Sequence, residues 1–229
     1  FRYMGNLLLI FVKWPEPGKV KTRLAQSIGN QEATRIYRML VRGVLELLGP
    51  LMPSKANESG HDPLTCWLLS TPESHQEEAA GWLQEEASLA GWPPDQIIVK
   101  PQASGDLGNR LRVAFEQGFQ AGYARVAAIG TDCVELDCGL VRESWHQLSG
   151  DCDLVFGPAT DGGYYLVAMN RPAVCAVFDG IPWSSECTLA TSLEIAADAG
   201  FQVNLLDKLS DVDTAADWQR VRARFNQDG

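Results

Sequence analysis

The sequence predicts a three-layer α/β/α sandwich built on a mostly parallel mixed sheet, and three observations carry that expectation. Apolar runs of strand length alternate with segments of helical period along the chain. No internal repeat or low-complexity tract interrupts them. At 229 residues, 45% hydrophobic and 21% charged, the chain is long enough for one large core and has an ordinary globular composition.

Residues 1–5, around Met4, read as a remnant outside the fold, and the rest as one domain. The first strand is Asn6 to Val12. A helix follows at Gln31 to Leu48, where Ala33, Ile36, Tyr37, Leu40, Val41, Val44, Leu45 and Leu48 trace one apolar face. Gly49 to Pro63, with prolines, glycines and polar residues, is a surface loop rather than a domain linker, because a strand resumes at Leu64 to Leu69. Helix, strand and helix then alternate at Glu73 to Leu89, Gln96 to Lys100 and Leu107 to Gly122. Arg125 to Gly130 is small and apolar enough to be a central strand, followed by a helix at Gly139 to Leu148. Asp153 to Phe156 and Tyr164 to Met169 are strands joined by a loop, which breaks the parallel winding. A helix at Cys187 to Ala199, a strand at Gln202 to Leu206 and a helix carrying Trp218, Val221 and Phe225 complete the order.

Net charge of −10 argues against a nucleic-acid partner or an anionic membrane surface. The longest apolar run, Leu7 to Val12, is far short of the roughly 20 residues a membrane span needs. A cytoplasmic location is the expectation. Six scattered cysteines without a C-x-x-C pair and only three histidines support neither a disulfide framework nor a zinc knuckle.

Against that acidic background, Lys13, Lys19, Lys21 and Arg23 place four cations within eleven residues, just after a buried strand. The loop carries Pro15 and Pro17, which stiffen it, and Gly18, which leaves its backbone amides open to close approach. Such a loop suits a diphosphate held by charge-assisted hydrogen bonds, with a solvated basic turn as the plainer reading. No G-x-x-x-x-G-K-[ST], G-x-G-x-x-G or G-x-S-x-G occurs, so P-loop, dinucleotide and serine-hydrolase chemistry are disfavoured.

Asp132 follows the central strand, where ligands bind in open α/β sheets, and offers oxygen to a hard cation such as Mg2+ or Mn2+. Asp213 is the preferred second ligand, with capping of the helix that opens at Thr214 as its other reading. Asp161, Gly162, Gly163 and Tyr164 form a candidate acceptor loop, with Tyr164 and Tyr165 on opposite strand faces, one in the core and one toward the crevice. Trp183, a further acceptor candidate toward the crevice, and Glu186 flank a second loop, where Ser185 is a possible helix cap. Arg110 lies in the first turn of a helix that Asp106 caps, and is a weaker candidate for a phosphate or nucleobase.

Taken together, Phe11 to Leu24, Gly105-Asp106-Leu107-Gly108, Gly130-Thr131-Asp132-Cys133, Gly157 to Tyr165 and Trp183-Ser184-Ser185-Glu186 resemble a known family. It is that of the bacterial glycosyltransferase-like proteins of the nucleotide-diphospho-sugar transferase superfamily, some assigned to arsenosugar biosynthesis. The resemblance implies a GT-A-like fold with the metal aspartate at Asp132 and the acceptor in the second half. Val134 stands where the family usually has proline, Thr214-Ala215-Ala216-Asp217-Trp218 replaces the usual Thr-Pro-Glu-Asp-Leu, and the loop ending at Pro63 is extended. The N-terminal loop also resembles that of phospholactate guanylyltransferases and other sugar nucleotidyltransferases.

The leading expectation is therefore a metal-dependent glycosyltransferase using a nucleotide-diphosphate sugar and a small-molecule acceptor. Lys21, Asp161 and Glu186 are its catalytic candidates, and Lys13, Gly18, Lys21, Arg23 and Arg110 its phosphate-binding candidates. A nucleotidyltransferase joining an NTP to a phosphorylated acceptor is the alternative, and a non-catalytic nucleotide-binding protein the third. A homodimer is left open.

Overall fold

The computed structural model describes residues 4–51 and 64–225. Seven strands form one sheet: β1 (Met4–Lys13), β2 (Leu64–Thr71), β3 (Ile97–Pro101), β4 (Tyr123–Ile129), β5 (Leu154–Pro158), β6 (Tyr164–Met169) and β7 (Val203–Leu205). Their order is β3-β2-β1-β4-β6-β5-β7, and only β6 runs antiparallel to its neighbours. The helices are α1 (Thr22–Ile28), α2 (Asn30–Leu48), α3 (Gln76–Leu89), α4 (Leu107–Gln120), α5 (Cys138–Gln147), α6 (Thr188–Asp198) and α7 (Ala215–Val221). Among the described residues, no helix is long and apolar enough to cross a membrane.

The alternation of side chains along a strand builds the two apolar layers. Leu8, Ile10 and Val12 of β1 pack with the stripe of α2 and with α3 and α5, while Leu7 and Leu9 pack with α4 and the Pro172–Phe178 3-10 turn on the other face. The neighbouring tyrosines divide the same way: Tyr165 joins the first layer, and Tyr164 packs on Phe156 in the second. Both faces of β1 are covered, which is why it reads as a continuous apolar run.

Three features depart from expectation. β1 begins at Met4, paired to Tyr123, so residues 4 and 5 belong to the sheet. The cation loop ends in a helix, α1, that has only Leu24 buried and is too short to show a period. The Pro172–Phe178 turn is apolar but has 3-10 geometry, so its spacing matches neither strand nor α-helix. Of the expected loop at 49–63, Gly49–Leu51 is a short 3-10 turn and residues 52–63 lie outside the described residues.

Strand order reverses between β1 and β4, so the segments leaving their carboxyl ends flank one crevice. Gln102 closes its far side, donating from Nε2 to Val12 O at 3.1 Å and Leu69 O at 2.8 Å. After β7 the chain runs back along this edge. Leu206 N donates to Phe156 O, Leu209 N to Pro158 O and Val212 N to Asp132 O, at 2.8, 3.0 and 2.9 Å.

Candidate active site

The cation loop is held at both ends. Tyr37 of α2 accepts from Lys13 N at 2.9 Å and donates to Lys13 O at 3.2 Å. Burial, followed by the negative charge of Asp132, holds the Tyr37 hydroxyl protonated, its pKa far above the ordinary phenol value. Gly18 has φ +83°, a left-handed turn that glycine adopts without strain, and Lys19 N closes it on Glu16 O at 3.0 Å.

Lys21 is the structural centre of the loop. It is itself left-handed, with φ 48°, and its side chain is only 3% exposed. Its ammonium lies 2.7 Å from Asp132 Oδ1 and 3.1 Å from Asp213 Oδ1. Burial alone lowers its pKa, but the two carboxylates outweigh burial and raise it, so Lys21 is a fixed cation. Arg23 approaches Asp213 Oδ2 at 3.8 Å and is otherwise exposed, as are Lys13 and Lys19.

Asp213 does not cap α7. Thr214 does, in a reciprocal capping box with Asp217, which frees the Asp213 carboxylate for Lys21. Val212, buried between them, turns Asp211 and Asp213 to the same side of the segment. Asp211, two residues before Asp213, is a further site residue that its place in the sequence does not single out. Burial, then the charges of Asp132 and Asp161, raise its carboxyl to about 7, against an ordinary value of 3.8.

That shift has a sign. A carboxyl whose pKa is raised on folding costs nothing below its unfolded value, and stability is lost as pH rises through the folded one. In metal-free buffer, Asp211→Asn should melt above wild type at about pH 8 and lose that advantage near pH 4. Thermal melts across that range check it, and a gap independent of pH would contradict it.

The second half of the sheet supplies the opposing carboxylates. Asp161 Oδ1 accepts from Gly163 N at 2.9 Å, a contact that closes the turn, while the side chain remains exposed. Gly162 has φ +90°, and a Cβ there would lie 2.1 Å from Glu186 O. Leu189 N donates to Gly162 O at 2.9 Å, so the loops of Asp161 and Glu186 are seated directly on one another. Ser185 Oγ accepts from Cys187 N at 3.2 Å without capping α6, whose own N-cap, Cys187, makes no side-chain bond.

These groups line one cavity of about 680 Å3, to which Lys13, Lys19, Lys21 and Arg23 come from the first half and Asp161 and Glu186 from the second. Asp132 and Asp213 line it too. Of the other expected members, Gly18, Gly162 and Gly163 shape the loops without lining the cavity, and three side chains lie elsewhere. Arg110 donates to Gly105 O and Gln102 Oε1 and lines a separate cavity, because the first turn of α4 points its side chain back along its own N-terminal loop. Trp183 packs on Tyr164 and Phe178 over Gly108, where a Cβ would lie 2.7 Å from the indole nitrogen, so its apolar ring joins the core. Tyr164 lines an adjoining cavity of about 230 Å3 with Phe11, Asp132 and Asp211.

A divalent cation fits this donor set. Among the described residues, no group of three or more His, Cys, Asp or Glu gathers around one point. Yet Asp132 and Asp213 already converge on one positive charge, and Mg2+ typically takes one or two carboxylates, completing its shell with water and phosphate.

Residues 61–185 match the model of a family described as an uncharacterized protein conserved in bacteria (DUF2064). The chain belongs to this family. A protein from Desulfovibrio desulfuricans G20, provisionally assigned as a nucleotide-diphospho-sugar transferase, is 33% identical, with a TM-score of 0.77 over 98% of this chain and 88% of that one. Two distant structures share the fold. The 4-diphosphocytidyl-2C-methyl-D-erythritol synthase of Anaerococcus prevotii DSM 20548 is 8% identical, with a TM-score of 0.58 over 97% of this chain and 98% of that one. The glucosyl-3-phosphoglycerate synthase of Mycobacterium tuberculosis, in complex with Mg2+ and UDP, is 11% identical, with a TM-score of 0.50 over 97% and 76%. No curated protein matches the sequence. The DUF2064 chain thus has the expected nucleotide-diphospho-sugar transferase fold.

Proposed function

We propose that this DUF2064 protein transfers a glycosyl group from a nucleotide-diphosphate sugar to a hydroxyl of a small-molecule acceptor. The observation that carries the proposal is the distribution of charge in one cavity, with the exposed cations Lys13, Lys19 and Arg23 from one half of the sheet and the exposed carboxylates Asp161 and Glu186 from the other. The 33% identical relative assigned to the same donor class favours this reading over nucleotidyl transfer.

Lys13, Lys19 and Arg23, all exposed, bind the diphosphate, with the backbone at Gly18 beside them and Arg23 also 3.8 Å from Asp213. Lys21 is a positioning residue: its ammonium sets the spacing of Asp132 and Asp213. Those two carboxylates would hold Mg2+ or Mn2+, which when bound supplies charge neutralisation for the departing diphosphate. Asp161 or Glu186 binds the acceptor and takes its hydroxyl proton as the new bond to the sugar carbon forms and the bond to the diphosphate oxygen breaks.

The test is product identity. Purified protein is incubated with Mn2+ and a panel of nucleotide-diphosphate sugars or nucleoside triphosphates, with candidate acceptors. Release of nucleoside diphosphate, stopped by a chelator, is the expected result. Pyrophosphate release from a triphosphate would replace it with nucleotidyl transfer, and ligand-induced stabilisation without turnover would mark a nucleotide-binding protein.

A further inference from the structure

A second cavity of about 680 Å3 lies on the outer face of α2 and shares no lining residue with the candidate active site. Arg35, Arg38, Met39, Arg42, Glu46 and Leu47 line it at three- and four-residue spacing, opposite the buried stripe of the same helix. Arg224, in the 3-10 turn after α7, closes it. In a chain of net charge −10, four guanidiniums around one cavity reverse the prevailing sign.

Two of the four are committed. Arg42 is bidentate to Glu86 at 2.6 and 3.2 Å, and the buried Glu86 also accepts from Trp82 Nε1 at 2.9 Å. Arg35 is bidentate to Glu32, one turn earlier, at 2.9 and 2.6 Å. Arg38 and Arg224 pair with no carboxylate among the described residues. The Arg38 guanidinium lies 5.1 Å over Trp82 and 5.9 Å over Trp14, a contact that occupies none of its N–H donors. Arg224 spends one donor, Nη1, on Val134 O at 2.8 Å.

Beside these two cations runs an apolar surface. Leu47 is 38% exposed, and Met39 and Phe225 are part-buried. Phe225 lies directly on the helix at Gly43, where a Cβ would come within 2.7 Å of its ring. Solvated arginines alone do not require such a surface.

We propose that this cavity binds a small organic acid, its phosphate or carboxylate held by Arg38 and Arg224 and its apolar body laid along Met39, Leu47 and Phe225. The volume suits a ligand up to nucleotide size. Its ends touch the segments that build the active site: Trp14 follows Lys13, and Val134 follows Asp132 by two residues. The proposal is independent of the reaction assigned above.

The experiment is a titration of protein labelled at the tryptophan indole nitrogens, read by NMR. The probes are phenyl phosphate, phenylacetate, inorganic phosphate and benzyl alcohol, applied to wild type, to Arg38→Gln/Arg224→Gln and to Asp132→Ala. Phenyl phosphate or phenylacetate should shift the Trp14 and Trp82 signals saturably, the stronger of the two identifying the acid. Inorganic phosphate or benzyl alcohol alone should bind about tenfold more weakly, and the double arginine variant should lose about tenfold or more. Asp132→Ala should leave the titration unchanged. The proposal is overturned if no probe saturates, if inorganic phosphate matches phenyl phosphate, or if binding survives the arginine changes. It is also overturned if binding disappears with Asp132. Should the double variant fail to fold, Arg38→Gln alone is read in the same way.

Discussion

Gly162→Ala is expected to cost about 3 kcal/mol of stability and to abolish most turnover, because strain and collision act at the same position. The added Cβ would meet Glu186 O at 2.1 Å and Glu186 Cα at 2.5 Å, both main-chain atoms that no rotamer change can move. The φ of +90° is itself one that an L side chain rarely adopts. Relief requires the Asp161 loop and the Glu186 loop to separate, which displaces both of these carboxylates at once. Gly200→Ala is the matched control: φ is +74°, but nothing lies within 4 Å of its Cβ position, so only the backbone strain, about 1 kcal/mol, remains. In thermal melts the difference of about 2 kcal/mol amounts to roughly 4–8 °C for a chain of this size. Equal melting of the two variants would show that the loops give way freely and that their contact has no part in shaping the site.

Lys21→Met is expected to lower stability by about 2 kcal/mol in metal-free buffer and turnover by about a thousandfold. The methionine fills similar space but leaves Asp132 and Asp213 facing one another without the cation that now lies 2.7 and 3.1 Å from them. The loss is smaller than for a fully buried pair because the two carboxylates are 44% and 36% exposed and water screens part of their repulsion. Mn2+ should then raise the melting temperature of the variant by more than that of wild type, since the variant has no resident charge between its carboxylates. An equal or smaller Mn2+ response would mean that these two carboxylates are not where the divalent cation goes.

The alternation of strands and helices is legible because both periods are long and both faces of the central strands are covered; α2 shows this best, its buried stripe containing every residue of the apolar spacing and adding only Thr34. Asp132 and the cation loop can be found for a related reason: each immediately follows an apolar strand, and position after a strand is a local property of sequence. What local pattern does not encode is the partner. Lys21 reads as one cation among four, and its burial arises only when Asp213, 192 residues further on, arrives beside it. Proximity in sequence to site residues points Trp183 and Arg110 at the crevice, yet Gly108 makes room for the indole and Gln102 diverts the guanidinium. Asp211 escapes a reading by spacing because what distinguishes it, partial burial and the negative charges of Asp132 and Asp161, comes from segments far away in sequence.

The return of the chain along the sheet edge after β7 has a consequence for biosynthesis. Six of the seven strands precede residue 200, and the described residues after it add a three-residue edge strand, the return segment, α7 and the 3-10 turn that carries Arg224. That return segment brings in Asp211 and Asp213 and ties them to the β4 turn through Val212 N and Asp132 O. A nascent chain can therefore assemble nearly all of its sheet while Lys21 still lacks one of its two anionic partners. Synthesis of residues 203–213 adds little to the sheet but completes the charge arrangement of the site, so activity should emerge only after this return segment has been made.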